Sequence, residues 1–112
     1  MTPISEKEYS ERALPELAAL LAALDAHPDD LFAELAGDVL TIEFPDHSRY
    51  VVNSHVAARQ IWLAAERNAW HFDYSPEKKA WIERKAGAEL WSTLEHSLAR
   101  KSGHAVPLKR AR

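Results

Sequence analysis

The alternation of apolar and polar side chains divides the chain into a helix, a run of short strands and a second helix. Tyr9, Ala13, Leu17, Leu20, Leu21 and Leu24 recur at the spacing of one helical face. Ser5 followed by Glu8 has the form of a capping box and sets the start near residue 6. Pro15 falls inside this stripe. A proline in a helix interior removes a donor and crowds the preceding turn at a cost of about 3 kcal/mol, so a kink or a break is expected there. The cluster His27-Pro28-Asp29-Asp30 ends the helix in a turn.

Strands are predicted over residues 31–35, 39–44, 49–53, 60–64, 70–74 and 80–83. Gly37-Asp38 suits a tight hairpin, and the links around Pro45 and Pro76 are also short. Consecutive strands joined so closely pair as antiparallel neighbours. Leu90, Trp91, Leu94 and Leu98 then form the apolar face of a last helix, with Arg100 and Lys101 in its final turn and Gly103 as its stop. Two amphipathic helices and a sheet with one apolar face predict an α+β two-layer sandwich. Both helices would pack on one face of a five- to six-stranded antiparallel sheet. Residues 1–103 make a single domain, and residues 104–112 are expected to be a basic, flexible tail.

This layout makes the second sheet face readable. With Leu40, Ile42, Phe44, Tyr50, Val52, Ile61 and Leu63 turned inward, Thr41, Glu43, Arg49, Val51, Asn53, Gln60 and Trp62 turn outward. If Trp70, Phe72 and Tyr74 are inside, His71 and Asp73 are outside. No helix remains to cover this face. Trp62 therefore stands on an open polar surface ringed by Asn53, Gln60 and His71, a favoured setting for a binding anchor. The competing reading places Trp62 under a loop or the tail. Trp70, Trp81 and Trp91 read as core.

The length of 112 residues fits one domain with a real core, and a hydrophobic content of 46% and charged content of 28% are ordinary for a globular protein. There is no cysteine, which excludes disulfides, thiolate metal sites and a cysteine nucleophile. No run is long and apolar enough for a membrane span, and the first residues lack signal-peptide character, so a cytoplasmic protein is expected. The net charge of −3 hides a polarity: residues 1–47 carry 11 acidic and 2 basic side chains, residues 48–112 carry 6 and 12. An acidic end of this kind attracts cations, and a basic part suits acidic partners. Asp25, Asp29 and Asp30 lie close enough in sequence to converge at the helix end, with His27 as an added nitrogen ligand. Such a set suits weakly held, exchangeable cations. His47, His96 and His104 are isolated by spacing. The serines lack a glycine elbow and three glycines cannot build a phosphate loop, so no enzyme is expected.

The order of elements resembles that of the frataxin family, most closely its bacterial, CyaY-type members. The residues that carry the likeness are Val52-Asn53-Ser54-His55, Gln60-Ile61-Trp62-Leu63, and Trp70-His71-Phe72-Asp73 followed by Trp81. It extends from about Tyr9 to about Ser102. The resemblance implies a non-enzymatic, iron-binding protein of iron–sulfur cluster assembly that docks on the cysteine desulfurase and scaffold protein and regulates them. It maps the family's sheet-face contacts onto Asn53 and Trp62, and onto His55, where the family more often carries Gln. His71 stands where mitochondrial relatives carry a basic residue. The family's acidic ridge, which binds iron weakly and admits other divalent cations, maps onto Glu8, Glu11, Asp25, Asp29, Asp30 and Glu34. Two departures stand out: an Ala- and Leu-rich stretch at residues 18–26 thins the ridge, and Asn68-Ala69 replaces a Gly-rich turn. The alternatives are an iron buffer or donor with no regulatory role, and a nucleic-acid module using an exposed aromatic on a sheet. The acidic N-terminal half counts against the last. A monomer at rest is expected, with metal-induced assembly allowed by the acidic patch.

Overall fold

Ser5 caps the first helix as the spacing predicts. Its hydroxyl accepts the Glu8 N–H at 3.1 Å, and helix α1 runs over Glu6–Leu24 in the computed structural model, which describes residues 4–110. Tyr9, Ala13, Leu17, Leu20, Ala23 and Leu24 are buried along one side, and Leu21 packs at the margin. The break expected at Pro15 does not occur. Pro15 is exposed, so the carbonyl it leaves without a donor lies on the hydrated side, while the buried stripe holds both halves of the helix to the core.

Strands β1 (Phe32–Ala36), β2 (Val39–Glu43), β3 (Arg49–His55), β4 (Gln60–Ala65), β5 (Asn68–Ser75) and β6 (Ala80–Glu83) form one antiparallel sheet in chain order. Gly37 supplies the positive φ of 62° that a tight hairpin needs at its first central position. Leu40, Ile42, Tyr50, Val52, Ile61, Leu63, Phe72 and Trp81 project from one face and are buried. Helix α2 (Leu90–Ser102) covers this same face beside α1. Its N-cap is Glu89, whose carboxylate accepts the Trp91 and Ser92 N–H groups at 2.8 and 3.0 Å. Gly103 closes it at φ 79°. Trp81 sits between Tyr9 and Tyr74 in edge-on contacts at 5.8 and 5.3 Å. Trp91 is also buried, whereas Trp70 is only half-buried at the core margin.

The segment after Gly103, expected to be loose, is packed as far as it is described. Val106 and Leu108 are buried in the core cluster. The Leu108 N–H donates to Glu95 at 2.6 Å, and Arg110 grips Glu16 of α1 at 2.6 and 3.1 Å while lying 4.4 Å over the Trp91 ring. The Trp91 indole donates to the same Glu16 carboxylate. The tail is thus a strap across both helices. Two apolar side chains at alternate positions, Val106 and Leu108, are what distinguish it from a solvated basic tail.

Candidate functional site

With no helix on the second sheet face, strand register alone decides which side chains meet there. Asn53, Trp62 and His71 fall in one row across β3, β4 and β5, and His55, Gln60 and Asp73 in the next. Trp62 is half-buried, yet nothing from the helices or the strap covers it. Its indole is instead clasped by its neighbours. The His55 ring stacks on one side at 3.9 Å and 8°, the His71 ring on the other at 4.2 Å and 12°. The three near-parallel rings form a stacked strip in which the imidazoles cover both faces of the indole.

Hydrogen bonds fix the strip from below. Trp62 Nε1 donates to Gln60 Oε1 at 2.8 Å, and Gln60 Nε2 donates to Asp73 Oδ1 at 3.2 Å. Asp73 in turn accepts from Arg84 Nε and Nη2 at 2.6 and 3.3 Å. Asp73 was expected to face water. It does lie on the outer side, but Arg84 and Gln60 bury it, because the chain beyond β6 brings a guanidinium back over the sheet. His55 Nδ1 accepts the Ala58 N–H at 3.3 Å and so caps the 3₁₀ turn Val56–Ala58. From the core side, Tyr9 of α1 donates its hydroxyl to the Gln60 carbonyl at 2.8 Å and bonds Ser54. Burial pushes the Tyr9 phenol pKa up, which keeps it a neutral donor. The first helix therefore anchors the strand that carries Trp62.

Every sheet-face residue singled out in the sequence is brought together. Sequence reasoning missed Arg84 as the partner of Asp73, and also Phe32, which is 64% exposed on the outer side of β1 near Glu34, Thr41 and Arg49. Period-two alternation from Ala33 and Leu35 already placed Phe32 outward, and was the available signal.

The six carboxylates are not gathered in the same way. Glu8 and Glu11 lie near the start of α1 and Asp25 caps its end; at 1.5 Å per residue the helix separates Glu11 from Asp25 by about 21 Å. Asp29 and Asp30 follow in the turn, and Glu34 projects from β1. Among the described residues no group of three or more His, Asp or Glu side chains is placed to hold a metal ion, so the expected convergence of Asp25, Asp29 and Asp30 with His27 is not present. His27 Nε2 donates to the Pro107 carbonyl at 2.6 Å instead, and Asp30 takes His104 Nε2 at 2.9 Å. His104 also bonds the Ala105 carbonyl through Nδ1 at 3.0 Å. An imidazole donating from both nitrogens is the protonated form, and the Ala105 carbonyl together with the Asp30 charge raises its pKa. Glu8, Glu11, Asp25, Asp29 and Glu34 make no ion pair among the described residues. They form an acidic edge of single, open carboxylates.

A two-layer sandwich with two helices on one side and an uncovered sheet face bearing a clasped tryptophan defines the class of protein. The chain matches the family model of the frataxin-like domain over residues 2–104, and it belongs to the frataxin family. Among curated relatives, the iron–sulfur cluster assembly protein CyaY of Cupriavidus metallidurans is 34% identical, over 97% of this chain and all of the relative. The protein of the same name from Dechloromonas aromatica is 36% identical over 95% of this chain and all of its own length. In three dimensions the chain is similar to frataxin from Psychromonas ingrahamii, with a TM-score of 0.84 at 23% identity over 96% of this chain and 100% of that one. Yeast frataxin superposes with a TM-score of 0.65 at 30% identity, covering 84% and 83% of the two chains. A trimeric yeast frataxin complexed with ferrous iron does so at 0.59 and 26% identity, covering 92% and 90%.

Proposed function

We propose that this chain is a cytoplasmic, iron-binding protein of iron–sulfur cluster assembly that docks on the cysteine desulfurase and its scaffold protein and regulates them, without catalysing a reaction itself. The names of its bacterial relatives supply the pathway. The observation that carries the docking role is the clasped Trp62. A large aromatic held rigid on an uncovered face loses little freedom on binding, and such residues contribute about 2 kcal/mol or more when buried at an interface. Asn53 adds a polar contact beside it. Its amide donates to the Ser54 carbonyl at 3.2 Å, and its oxygen has no partner among the described residues.

The acidic edge is the iron-associating surface in this reading. Separate carboxylates with no thiolate and no enclosed cage hold hard cations weakly and exchange them readily, Fe²⁺ and other divalent ions alike. The ferrous complex of a yeast relative supports iron as the cargo; in this reading the chain is a monomer at rest that can assemble under metal. The five unpaired carboxylates favour a second reading, an iron buffer or donor in which the sheet face is secondary.

Turnover of the cognate desulfurase with scaffold and Fe²⁺, measured with and without the protein, separates the two. A rate change that disappears with Trp62→Ala is expected. An unchanged rate, with no binding by calorimetry, sinks the regulatory reading. Reversing Asp25, Asp29 and Glu34 to lysine is then expected to weaken iron association strongly while the loss caused by Trp62→Ala stays the same.

A further inference from the structure

The indole of Trp62 carries one polar atom, and the hydrogen bonds behind it form a chain that can run in only one direction. An indole N–H only donates, and the ionised carboxylate of Asp73 only accepts. Gln60 stands between them, with an acceptor on one side of its amide and a donor on the other. Its Oε1 takes the indole N–H at 2.8 Å and its Nε2 donates to Asp73 Oδ1 at 3.2 Å. A flipped amide would set donor against donor at Trp62 and acceptor against acceptor at Asp73. Strand register brings the three together. Gln60 lies opposite Asp73 across β4 and β5, and Trp62 follows two residues on from Gln60, on the same face. Both ends of the arrangement are held. Asp73 is buried and gripped by Arg84 Nε and Nη2 at 2.6 and 3.3 Å, while Tyr9 fixes the Gln60 carbonyl from the core side at 2.8 Å.

We infer that Asp73, held by Arg84, is a positioning residue for docking: it directs the Gln60 amide so that the indole N–H is satisfied inside the protein and Trp62 offers its partner hydrocarbon alone. His55 and His71 already cover both faces of the ring, so the N–H is the group whose state this relay decides. In the free protein, an indole N–H released by the amide is taken up by water at little cost. In a complex that buries Trp62, the same N–H is enclosed without an acceptor, and a buried unpaired donor costs more than an ordinary hydrogen bond contributes. The relay therefore weighs on docking more than on stability. An Asp73–Arg84 pair that merely tied β5 to the turn after β6 would weigh on stability alone.

The inference rests on the docking role of Trp62, and its test keeps the two apart. In Asp73→Asn the side chain can donate as well as accept, so the Gln60 amide loses its direction. Adding Gln60→Glu rebuilds the chain in the opposite sense, with a carboxylate at position 60 accepting from the indole and from the new amide. Isotope-labelled full chains are compared by the shift and solvent exchange of the Trp62 Nε1–H signal, by thermal unfolding, and by calorimetry against the cognate desulfurase–scaffold complex. Asp73→Asn is expected to displace the indole signal, speed its exchange and weaken docking about tenfold, the scale of one buried unpaired donor, with a small fall in melting temperature. The double variant is expected to recover the indole signal and most of the affinity. An unchanged indole signal in Asp73→Asn, no recovery in the double variant, or a docking loss no larger than the stability loss overturns the inference. Unfolding of Asp73→Asn that Gln60→Glu does not repair overturns it as well. If the indole signals follow the expected pattern while the desulfurase complex survives Trp62→Ala, the docking role fails and the relay stands.

Discussion

Trp62 owes its posture to two kinds of neighbour, the imidazoles against its faces and the amide beneath its nitrogen. The amide contact is separable by mutation. Gln60→Leu keeps side-chain bulk but removes the acceptor for the indole and a donor to Asp73, at a cost of about 1 kcal/mol per lost hydrogen bond. We expect a modest fall in melting temperature, a shifted Trp62 indole resonance, and partner docking weakened more than stability. Unchanged docking in that variant shows that the amide does not position the ring. Trp62, Asn53, Gln60 and His71 were legible at this scale because alternation along a strand fixes the face of each side chain. The stacking of two rings on Trp62 was not, since it depends on cross-strand register: His71 lies directly opposite Trp62, while His55 reaches it diagonally. Asp25, Asp29 and Asp30 were picked out by their spacing and Glu8, Glu11 and Glu34 by family likeness alone, and the separation of Glu11 from Asp25 along α1 follows from helix rise.

At the scale of elements, the two surprises are a proline tolerated and a tail retained. Pro15→Ala restores the missing N–H in a helix that is otherwise continuous, and we expect stabilisation of about 1–3 kcal/mol by chemical denaturation. Ending the chain at Gly103 removes Val106 and Leu108 from the core, a loss of about 3–5 kcal/mol at the usual worth of a buried aliphatic side chain. The strap also carries a pH response. The His104 pKa is raised in the folded state, so its contribution is fully present below the ordinary histidine pKa of about 6.5 and is lost as pH climbs through the raised value. Stability of the native chain is expected to decline over that interval relative to His104→Ala, which lacks the dependence. Helix and strand periods made the order of elements readable, from the Tyr9 stripe to the Leu94 face. They could not reveal the strap, because Val106 and Leu108 are too few to set a period and the α1 residues it reaches are distant in sequence.

Across the whole molecule, the charge polarity of the sequence becomes a geometry. Asp25, Asp29, Asp30 and Glu34 lie toward the β1 edge, while Arg84, Lys85, Lys78 and Lys79, with Glu77 and Glu83 among them, lie toward β6, and Trp62 stands on β4 between. Exposed charges at an interface are screened by salt far more than a buried aromatic is. Association with the desulfurase complex is therefore expected to slow steeply as ionic strength rises, while the additional loss caused by Trp62→Ala stays nearly constant; stopped-flow binding across a salt series checks both.

The strap also orders events in time. Each strand pairs with the strand before it, so sheet contacts close over short loops, whereas Arg110 meets Glu16 across 94 positions and Pro107 meets His27 across 80. During synthesis the clasped face is complete in sequence once Arg84 has been added, but the latch between the two helices waits for residues 104–110. If these contacts form after the rate-limiting step, ending the chain at Gly103 is expected to leave the folding rate nearly unchanged and to speed unfolding, which denaturant-dependent kinetics check. On that expectation the strap over residues 104–110 sets how long the native state lasts rather than how quickly it is reached.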